Sequence, residues 1–414
     1  MATHRISIAP DDFDRDAVAH ALHAAGPVTP VDLGGVDALA ITHHDALRTV
    51  LADRTDTYVR GNAPHHWRAL REGDVDPTSP LVRLLSGSIG SLLTSHGAAH
   101  ARLRKPLQTH FTRRRVEELR PLVEDLTTSL LDDLDGRERV DLKEDFAWPL
   151  TVGVLVHLLG VDRSDAPVLG DLARRIFQLT DTEVFADTHR FLAALLEQRR
   201  LEPGHDLVSA LAKTDDEAEG DDHLGDAQVV ANLFLLVAAG FETTMGTLAN
   251  GIRALLEHPD QLRRLTGQEV TWGSGVEEIL RRHSSVSLLP GVFTTRETEL
   301  AGVTVPEGEL LLLAFAAAGL DRTSWDGPDT FDVGRDARGH LGFGHGPHLC
   351  LGAPLARLEL TVALPTLFAR FPRLELEPAQ SEVTPVRSWM MRHDEHLWVR
   401  TAAARSPLPE DTPV

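Results

Sequence analysis

The sequence predicts one mainly α-helical domain that also contains small β-sheets, and three observations support this prediction. Residues 98–200 repeat apolar side chains at intervals of three and four, which is the spacing of an amphipathic helix. Residues 226–257 are apolar over a length that would make a helix of about 45–50 Å. The segment TELAGVTVPEGELLLLAF alternates instead, as strands do on either side of a Pro-Glu-Gly turn.

The first half of the chain changes from short β-like runs to helices. Runs such as VDALAIT give residues 28–60 a strand pattern, and Gly, Pro and Ser then interrupt residues 61–98 as a long, irregular connection. Four periodic helical segments follow before residue 200. The acidic run TDDEAEGDDH at residues 214–223 is typical of a solvated loop.

The second half is organised around the long helix from Asp226 to Glu257. Its centre is apolar on nearly every face, which fits a helix that crosses the middle of a large soluble protein. No repeat and no low-complexity linker divides the chain. We therefore expect residues 1–414 to form a single domain, with about ten N-terminal and about twelve C-terminal residues frayed.

The composition excludes several classes of protein. A net charge of −21 argues against binding to nucleic acid or to an anionic membrane surface. No signal pattern opens the sequence and no run approaches about 18 uninterrupted apolar residues, so we expect a cytoplasmic monomer that meets no membrane. A single cysteine among 414 residues excludes an internal disulfide.

That cysteine, Cys350, lies in the stretch FGHGPHLCLG, where glycines allow close backbone approach and Pro347 stiffens the turn. The helical run that follows would place the thiol at a helix N-terminus, which favours the thiolate. These residues alone leave three roles open: a buried structural thiol, a ligand of a metal or haem, and a nucleophile. One form of the second role is a non-haem metal site built from His345, His348 and Cys350.

The same stretch resembles the haem-thiolate loop of the cytochromes P450, whose pattern is F-x-x-G-x-[R/H]-x-C-x-G. The residues at its fixed positions are Phe343, Gly346, His348, Cys350 and Gly352. The resemblance implies the cytochrome P450 fold, with haem b between the long central helix and the cysteine loop. It also implies that Cys350 is the axial thiolate ligand of the iron, that Phe343 covers the sulfur, and that backbone N–H groups donate to it.

The segment AGFETTM, Ala239 to Met245, places an acid and an alcohol side by side in the middle of an apolar helix. The residues alone also allow a helix kink in which threonines bond back to carbonyl groups. The segment is similar to the family's A-G-x-[D/E]-T-T. This similarity implies that Ala239 and Gly240 lie against the distal haem face where the helix opens, that Thr243 steadies dioxygen and its protons, and that Glu242 carries protons from solvent-side water.

Two further pairs match the family on helices. Glu278 and Arg281 in VEEILRRH stand three residues apart; they are either an ordinary surface pair or, as the resemblance implies, a buried pair that supports the cysteine loop. His100 and Arg104 stand four apart, on either a solvated basic helix or the family's H-x-x-x-R helix, which holds a haem propionate.

The surrounding basic patch is the densest in an acidic protein and would suit an acidic ferredoxin as electron donor. Its residues are Arg102, Lys105, Arg113, Arg114 and Arg115.

One position departs from the family pattern. Bacterial members usually carry an Arg in the strand after the E-x-x-R helix to hold a propionate, but SLLPGVFTTRE offers no basic residue before Arg296. The remaining propionate ligands would then be His100, Arg104 and His348.

Together, these resemblances imply a haem-dependent monooxygenase that inserts one atom of O2 into an apolar small molecule, in secondary metabolism. Electrons would come from NAD(P)H through a ferredoxin reductase and a ferredoxin. Candidate pocket residues are Leu233, Val237, Leu288, Leu289, Trp389, Met390 and Met391. Alternatives are a peroxide-using or C–C/C–O coupling haem oxidase and a haem-binding protein without turnover.

Overall fold

The computed structural model describes residues 5–9, 14–85, 90–176, 183–218, 220, 223–377 and 384–401. The α-helices in this part of the chain are α1 Arg15–Ala25, α2 His44–Ala52, α3 Ala63–His66, α4 Arg68–Glu72, α5 Pro80–Leu85, α6 Gly97–Gln108, α7 Arg113–Glu117, α8 Arg120–Asp132, α9 Trp148–Leu159, α10 Ala166–Ile176, α11 Val184–Leu201, α12 Leu207–Asp216, α13 Asp226–Gly240, α14 Glu242–Glu257, α15 Pro259–Thr266, α16 Trp272–Arg282, α17 Phe315–Ala318 and α18 Ala353–Arg370. A π-helical turn at Lys143–Ala147 precedes α9, and a 3₁₀ turn at Gly346–His348 lies in the cysteine loop.

The strands in the same residues are β1 Ile6–Ile8, β2 Val28–Leu33, β3 Asp37–Ile41, β4 Tyr58–Arg60, β5 Arg139–Asp141, β6 Leu288–Thr294, β7 Thr298–Leu300, β8 Val303–Val305, β9 Leu310–Ala314, β10 Leu374–Leu376 and β11 Trp398–Thr401. They form a six-stranded sheet in the order β1-β2-β3-β9-β6-β4, a three-stranded sheet in the order β10-β11-β5, and the β7-β8 hairpin. The predicted class, mainly α with small β-sheets, is confirmed.

The six-stranded sheet joins distant parts of the sequence. Strand β3 pairs in parallel with β9, and β4 pairs antiparallel with β6. All five residues of β9 are buried, as expected for a strand covered on both faces. This pairing brings residues near position 60 beside residues near position 292.

The central helix is interrupted at the position where the resemblance implies that it opens. Helix α13 ends at Gly240 and α14 begins at Glu242, with Phe241 between them. The hydroxyl of Thr243 donates to the carbonyl oxygen of Ala239 at 2.8 Å, and such back-bonding competes with the regular helical bonds.

By length and composition, the span Asp226–Glu257 could cross a membrane. However, 61% of its most apolar window is buried inside the protein, as in a core helix.

The prediction of frayed ends is corrected at the N-terminus. Residues Ile6–Ile8 form a strand that pairs in parallel with Val31–Leu33, because Ile8 can bury its side chain in the core under the large sheet. The last twelve residues, 403–414, lie outside the described residues. The connection at 61–98, predicted to be irregular, contains the short helices α3 to α5 and the start of α6.

Candidate active site

The cysteine loop is held close to α2. The amide of Cys350 donates to the carbonyl oxygen of Phe343 at 2.8 Å, which closes the loop. Gly346 has φ +68°, and a Cβ there would overlap the backbone of Leu51 at the end of α2. Only glycine combines this backbone conformation with so close a neighbour.

Cys350 is exposed as a residue and lies just before α18. Burial among protein atoms raises the pKa of the Cys350 thiol, although backbone N–H groups of Gly352 and Ala353 and the charge of Arg104 favour the thiolate. The predicted preference for thiolate is therefore outweighed in the protein alone. A metal ion, which binds cysteine as the thiolate, would displace the proton.

Glu277 ties the two ends of this loop to α16. It accepts hydrogen bonds from Arg357 on α18 at 2.9 Å and from His340 at 3.0 Å. Arg357 also lies over the ring of Phe343, 4.7 Å from its centroid. Burial alone would raise the pKa of Glu277, but the bonds from Arg357 and His340 lower that pKa to about 2. Sequence reasoning missed Glu277 and named its neighbour instead.

That neighbour, Glu278, forms a fully buried pair with Arg281, with two hydrogen bonds of 2.8 Å. The pair is hydrogen-bonded to the segment that precedes the cysteine loop. Arg281 donates to the carbonyl oxygens of Gly319 and Pro328, and the amide of Asp332 donates to Glu278. Glu278 and Arg281 thus fix residues 319–332, whereas Glu277 holds the cysteine loop itself.

His100 and His348 come together next to the loop. Their ring centroids are 4.0 Å apart, and neither buried Nε2 atom has a hydrogen-bond partner among the described residues. Burial and the charge of Arg104 lower the pKa of His100 to about 4. Arg104 donates to the carbonyl oxygen of Leu349 at 2.8 Å, which joins α6 to the loop.

These residues fit a haem. Two buried ring nitrogens without partners beside an arginine suit the carboxylates of a porphyrin, because buried polar atoms are normally hydrogen-bonded. The sulfur of Cys350 suits its iron.

A non-haem metal site is not supported. Within the described ranges, no cluster of three or more His, Cys, Asp or Glu side chains is arranged to hold a metal ion. The charges of Arg48 and His44 act on His345, whereas the ring of His348 lies against that of His100. The alternative metal site of His345, His348 and Cys350 is therefore corrected for the described residues.

One face of the central helix is open. Its accessible residues are Leu236, Ala239, Gly240 and Thr243, which follow the helical spacing of three and four. Leu233 and Val237 are 0% exposed and belong to the core cluster around α9 to α12. Their assignment to the pocket stays a prediction, since Leu233 lies seven residues before Gly240 and therefore on nearly the same side of the helix.

The other predicted pocket residues also differ in their exposure to solvent. Leu289, Trp389 and Met390 are partly exposed. Leu289 packs against the core cluster that contains Leu311 and Leu313, whereas Trp389 packs against the cluster that contains Leu288. Leu288 and Met391 are only 4% and 3% exposed. Because side chains alternate along a strand, Leu288 and Leu289 project to opposite faces of the sheet. Met391 forms an isolated β-bridge with Val286.

Glu242 has a partner that the sequence did not reveal. Its Oε1 atom lies 2.8 Å from Nε2 of His393, whose side chain is 0% exposed. Behind this pair, the buried Lys143 donates to the carbonyl oxygens of Asp394 and Glu395. Burial lowers the pKa of Lys143, and the negative charge of Glu242 partly opposes this effect. Glu242 therefore points into a buried polar network rather than into open solvent.

Comparisons with known proteins agree with this geometry. The family model described as Cytochrome P450 matches residues 169–271 and 274–397. The 6-deoxyerythronolide B hydroxylase of Saccharopolyspora erythraea is 35% identical over 92% of this chain and 94% of its own length. The vitamin D(3) 25-hydroxylase of Pseudonocardia autotrophica is 40% identical over 71% of this chain and 73% of its own.

A solved structure described as "Testerone bound CYP154C4", from Streptomyces sp. ATCC 11861, has a TM-score of 0.90 at 35% identity. The match covers 97% of this chain and 99% of that chain. The predicted architecture, a long central helix opposite a cysteine loop, is confirmed by this agreement.

Proposed function

This chain belongs to the cytochrome P450 family and is a haem-dependent monooxygenase, and we propose that it oxidises a bulky apolar metabolite held against the open face of α13. The observation that carries this proposal is the exposed residue Cys350 in a loop where His348 and the neighbouring His100 have buried ring nitrogens without partners among the described residues. Haem bound through that sulfur supplies the activation of dioxygen.

The residues around the loop bind and orient the cofactor. Cys350 is the iron ligand, and the N–H groups of Gly352 and Ala353 stabilise its negative charge. Phe343 covers the loop under Arg357, and Gly346 allows the close approach to α2. His100, Arg104 and His348 hold the carboxylates.

Thr243 and Glu242, at the start of α14, act in proton transfer. Ala239 and Gly240 present little side chain, so they leave room next to the Thr243 hydroxyl. Thr243 can exchange its bond to the Ala239 carbonyl oxygen for one to a reacting oxygen. Glu242 supplies the protons, and His393 keeps it in place and exchanges protons with it.

The substrate is proposed from the pocket surface and from the names of relatives. Leu236, Leu289, Trp389 and Met390 are partly exposed apolar side chains, which favour an apolar substrate. The named relatives act on 6-deoxyerythronolide B and vitamin D(3), which are large and mainly apolar. A macrolactone or a steroid-like secondary metabolite fits the same chemistry.

Electrons arrive from NAD(P)H through a ferredoxin reductase and an acidic ferredoxin. Helix α7 carries Arg113, Arg114 and Arg115 and packs against α18, which follows Cys350. Leu349, 45% exposed, adds an apolar contact at the loop. Arg102 is less available for docking, since it donates to Gln228 and to the carbonyl oxygen of His223. We place the enzyme in the cytoplasm as a monomer, with residues 1–414 as one domain.

The test is spectroscopic. Reduced protein exposed to carbon monoxide should absorb at about 450 nm, the signature of a thiolate-ligated haem. Cys350→Ala should lose that band, whereas replacement of the buried but uninvolved Thr127 by Ser should retain it. A wild-type protein without haem, or a Cys350→Ala variant with an unchanged band, would refute the function.

A further inference from the structure

Arg60 is a buried cation without a partner. It ends strand β4 and is 8% exposed, and its guanidinium forms no hydrogen bond or ion pair with any residue that the structure describes. Burial lowers the pKa of Arg60 to about 10. A buried charge without a partner is strongly unfavourable. We therefore expect Arg60 to bind an anion that is not part of the chain.

The surroundings of Arg60 show where that anion would lie. Arg60, His96 and His348 line one cleft of about 280 Å³. Burial, followed by the charge of Arg60, lowers the pKa of His348 to about 2. Asp53, the carboxylate that lines the cleft, already accepts from the amides of Thr57 and Tyr58, and Asp56, which is nearer in sequence, pairs with His96.

Arg60 is also paired with a specific residue on the neighbouring strand. Strand β4 pairs antiparallel with β6, and the residue directly opposite Arg60 is Val292. Directly paired residues project their side chains from the same face of a sheet. Val292 belongs to the strand that lacks a basic residue before Arg296, and Arg296 itself donates to the carbonyl oxygen of Thr55. Strand β4 therefore places a guanidinium directly opposite the position on β6 where a basic residue is missing.

We propose that Arg60 binds a haem propionate and replaces, from β4, the arginine that β6 does not carry. This inference rests on the proposed function, because it takes the occupant of the site to be haem. A guanidinium can donate two parallel hydrogen bonds to a carboxylate. Arg60 would thus act beside His100, Arg104 and His348 as a positioning residue for the cofactor.

The experiment measures haem loss from the purified holoenzyme to excess apomyoglobin, followed by the Soret band. Arg60→Met should lose haem about tenfold faster than wild type, since one charge-assisted hydrogen bond is removed. Arg60→Lys should fall between the two. The matched control is Arg296→Met, which changes an arginine bound to backbone and should leave the rate unchanged.

A transposed variant separates this role from a general loss of folding. The double change Arg60→Val with Val292→Arg moves the guanidinium to the opposite residue of the same pair. It should restore haem retention to within about threefold of wild type. It also tests the proposal if Arg60→Met alone does not accumulate as folded protein.

The cofactor can be changed as well as the protein. With haem whose two carboxyl groups are methylated, Arg60→Met and wild type should lose haem at the same rate, because the bond is absent in both. Wild-type haem retention in Arg60→Met, or a tenfold difference that persists with the methylated haem, would overturn the assignment. Neither result would remove the band near 450 nm, so the proposed function would stand independently.

Discussion

His393 and Glu242 form a buried hydrogen-bonded pair that joins the central helix to the C-terminal segment, 151 residues away in sequence. The Nδ1 atom of His393 faces the carbonyl oxygen of Asp394 at 3.2 Å, so both ring nitrogens face oxygen atoms. A carbonyl oxygen only accepts. Both bonds can form only if the pair carries one proton more than a neutral imidazole and a carboxylate. A proton shared by this pair would lie one residue from Thr243.

Replacing His393 by Ala should therefore slow proton delivery. We expect kcat to fall by at least about tenfold and the solvent isotope effect on kcat to rise, because Glu242 loses the group that positions it. The haem spectrum should not change. His396→Asn is the control: that ring pairs with Asp141, is half exposed, and should leave kcat unaltered. Equal kcat values for His393→Ala and wild type would exclude a role for this pair.

Gly246 tests the same pair without changing a polar group. A Cβ at this position would lie 2.5 Å from Cδ2 of His393 and 3.0 Å from Cβ of Ser285, so Gly246→Ala should push the ring away from Glu242. The expected result is the kinetic defect of His393→Ala. Gly251→Ala, which instead meets Ile279 at 2.9 Å, should lower the free energy of unfolding by about 1–3 kcal/mol without changing the isotope effect. The idea fails if the two glycine variants behave alike.

Thr243→Val should uncouple electron use from product formation. The change removes, at nearly constant volume, the hydroxyl that now bonds to the Ala239 carbonyl oxygen and that could donate to a reacting oxygen instead. We expect NAD(P)H consumption to continue while product per NAD(P)H falls by about tenfold and hydrogen peroxide increases. Thr243→Ser should restore most of the product yield. Full coupling in the valine variant would show that Thr243 has no part in proton delivery.

The local motifs could be predicted from sequence, whereas their long-range partners could not. Residues 343–352 are contiguous, and their glycines and proline determine the shape of the loop. The cysteine loop could therefore be predicted from the sequence. Glu277 and Arg357 are 80 residues apart, and nothing in EEILRRH distinguishes Glu277 from Glu278. Arg60 becomes informative only once β4 pairs with β6.

Assigning helix faces was the other difficulty. In the apolar stretch around residue 233, hydrophobicity does not show which side faces the pocket, because both sides are apolar. In the structure, Leu236 is accessible, whereas Leu233 is fully buried.

Glu277 should make the enzyme sensitive to acid. Its pKa is lowered to about 2 from 4.5, so the stabilisation is complete above pH 4.5 and is lost as the pH falls towards 2. The linked contribution is about 3 kcal/mol. Glu277→Gln should be less stable than wild type at pH 7, and the difference should shrink progressively below pH 4.5. Urea unfolding of both proteins across this range measures it. The exposed Glu299→Gln serves as control, and a stability difference that does not vary with pH would contradict the assignment.

The basic residues of α7 should control the rate of electron delivery. Arg113→Glu combined with Arg114→Glu places negative charge beside α18, where an acidic ferredoxin would approach. We expect the KM for ferredoxin to rise by at least about threefold at low salt, because steering charges act mainly on association. The difference should diminish at high ionic strength as screening increases. Substrate binding, followed by the haem spin state, should be unchanged. Arg322→Glu, an exposed change beside Asp329 and α1, is the control. If it raises the KM as much as the α7 variant does, the effect follows net charge and α7 is not the docking site.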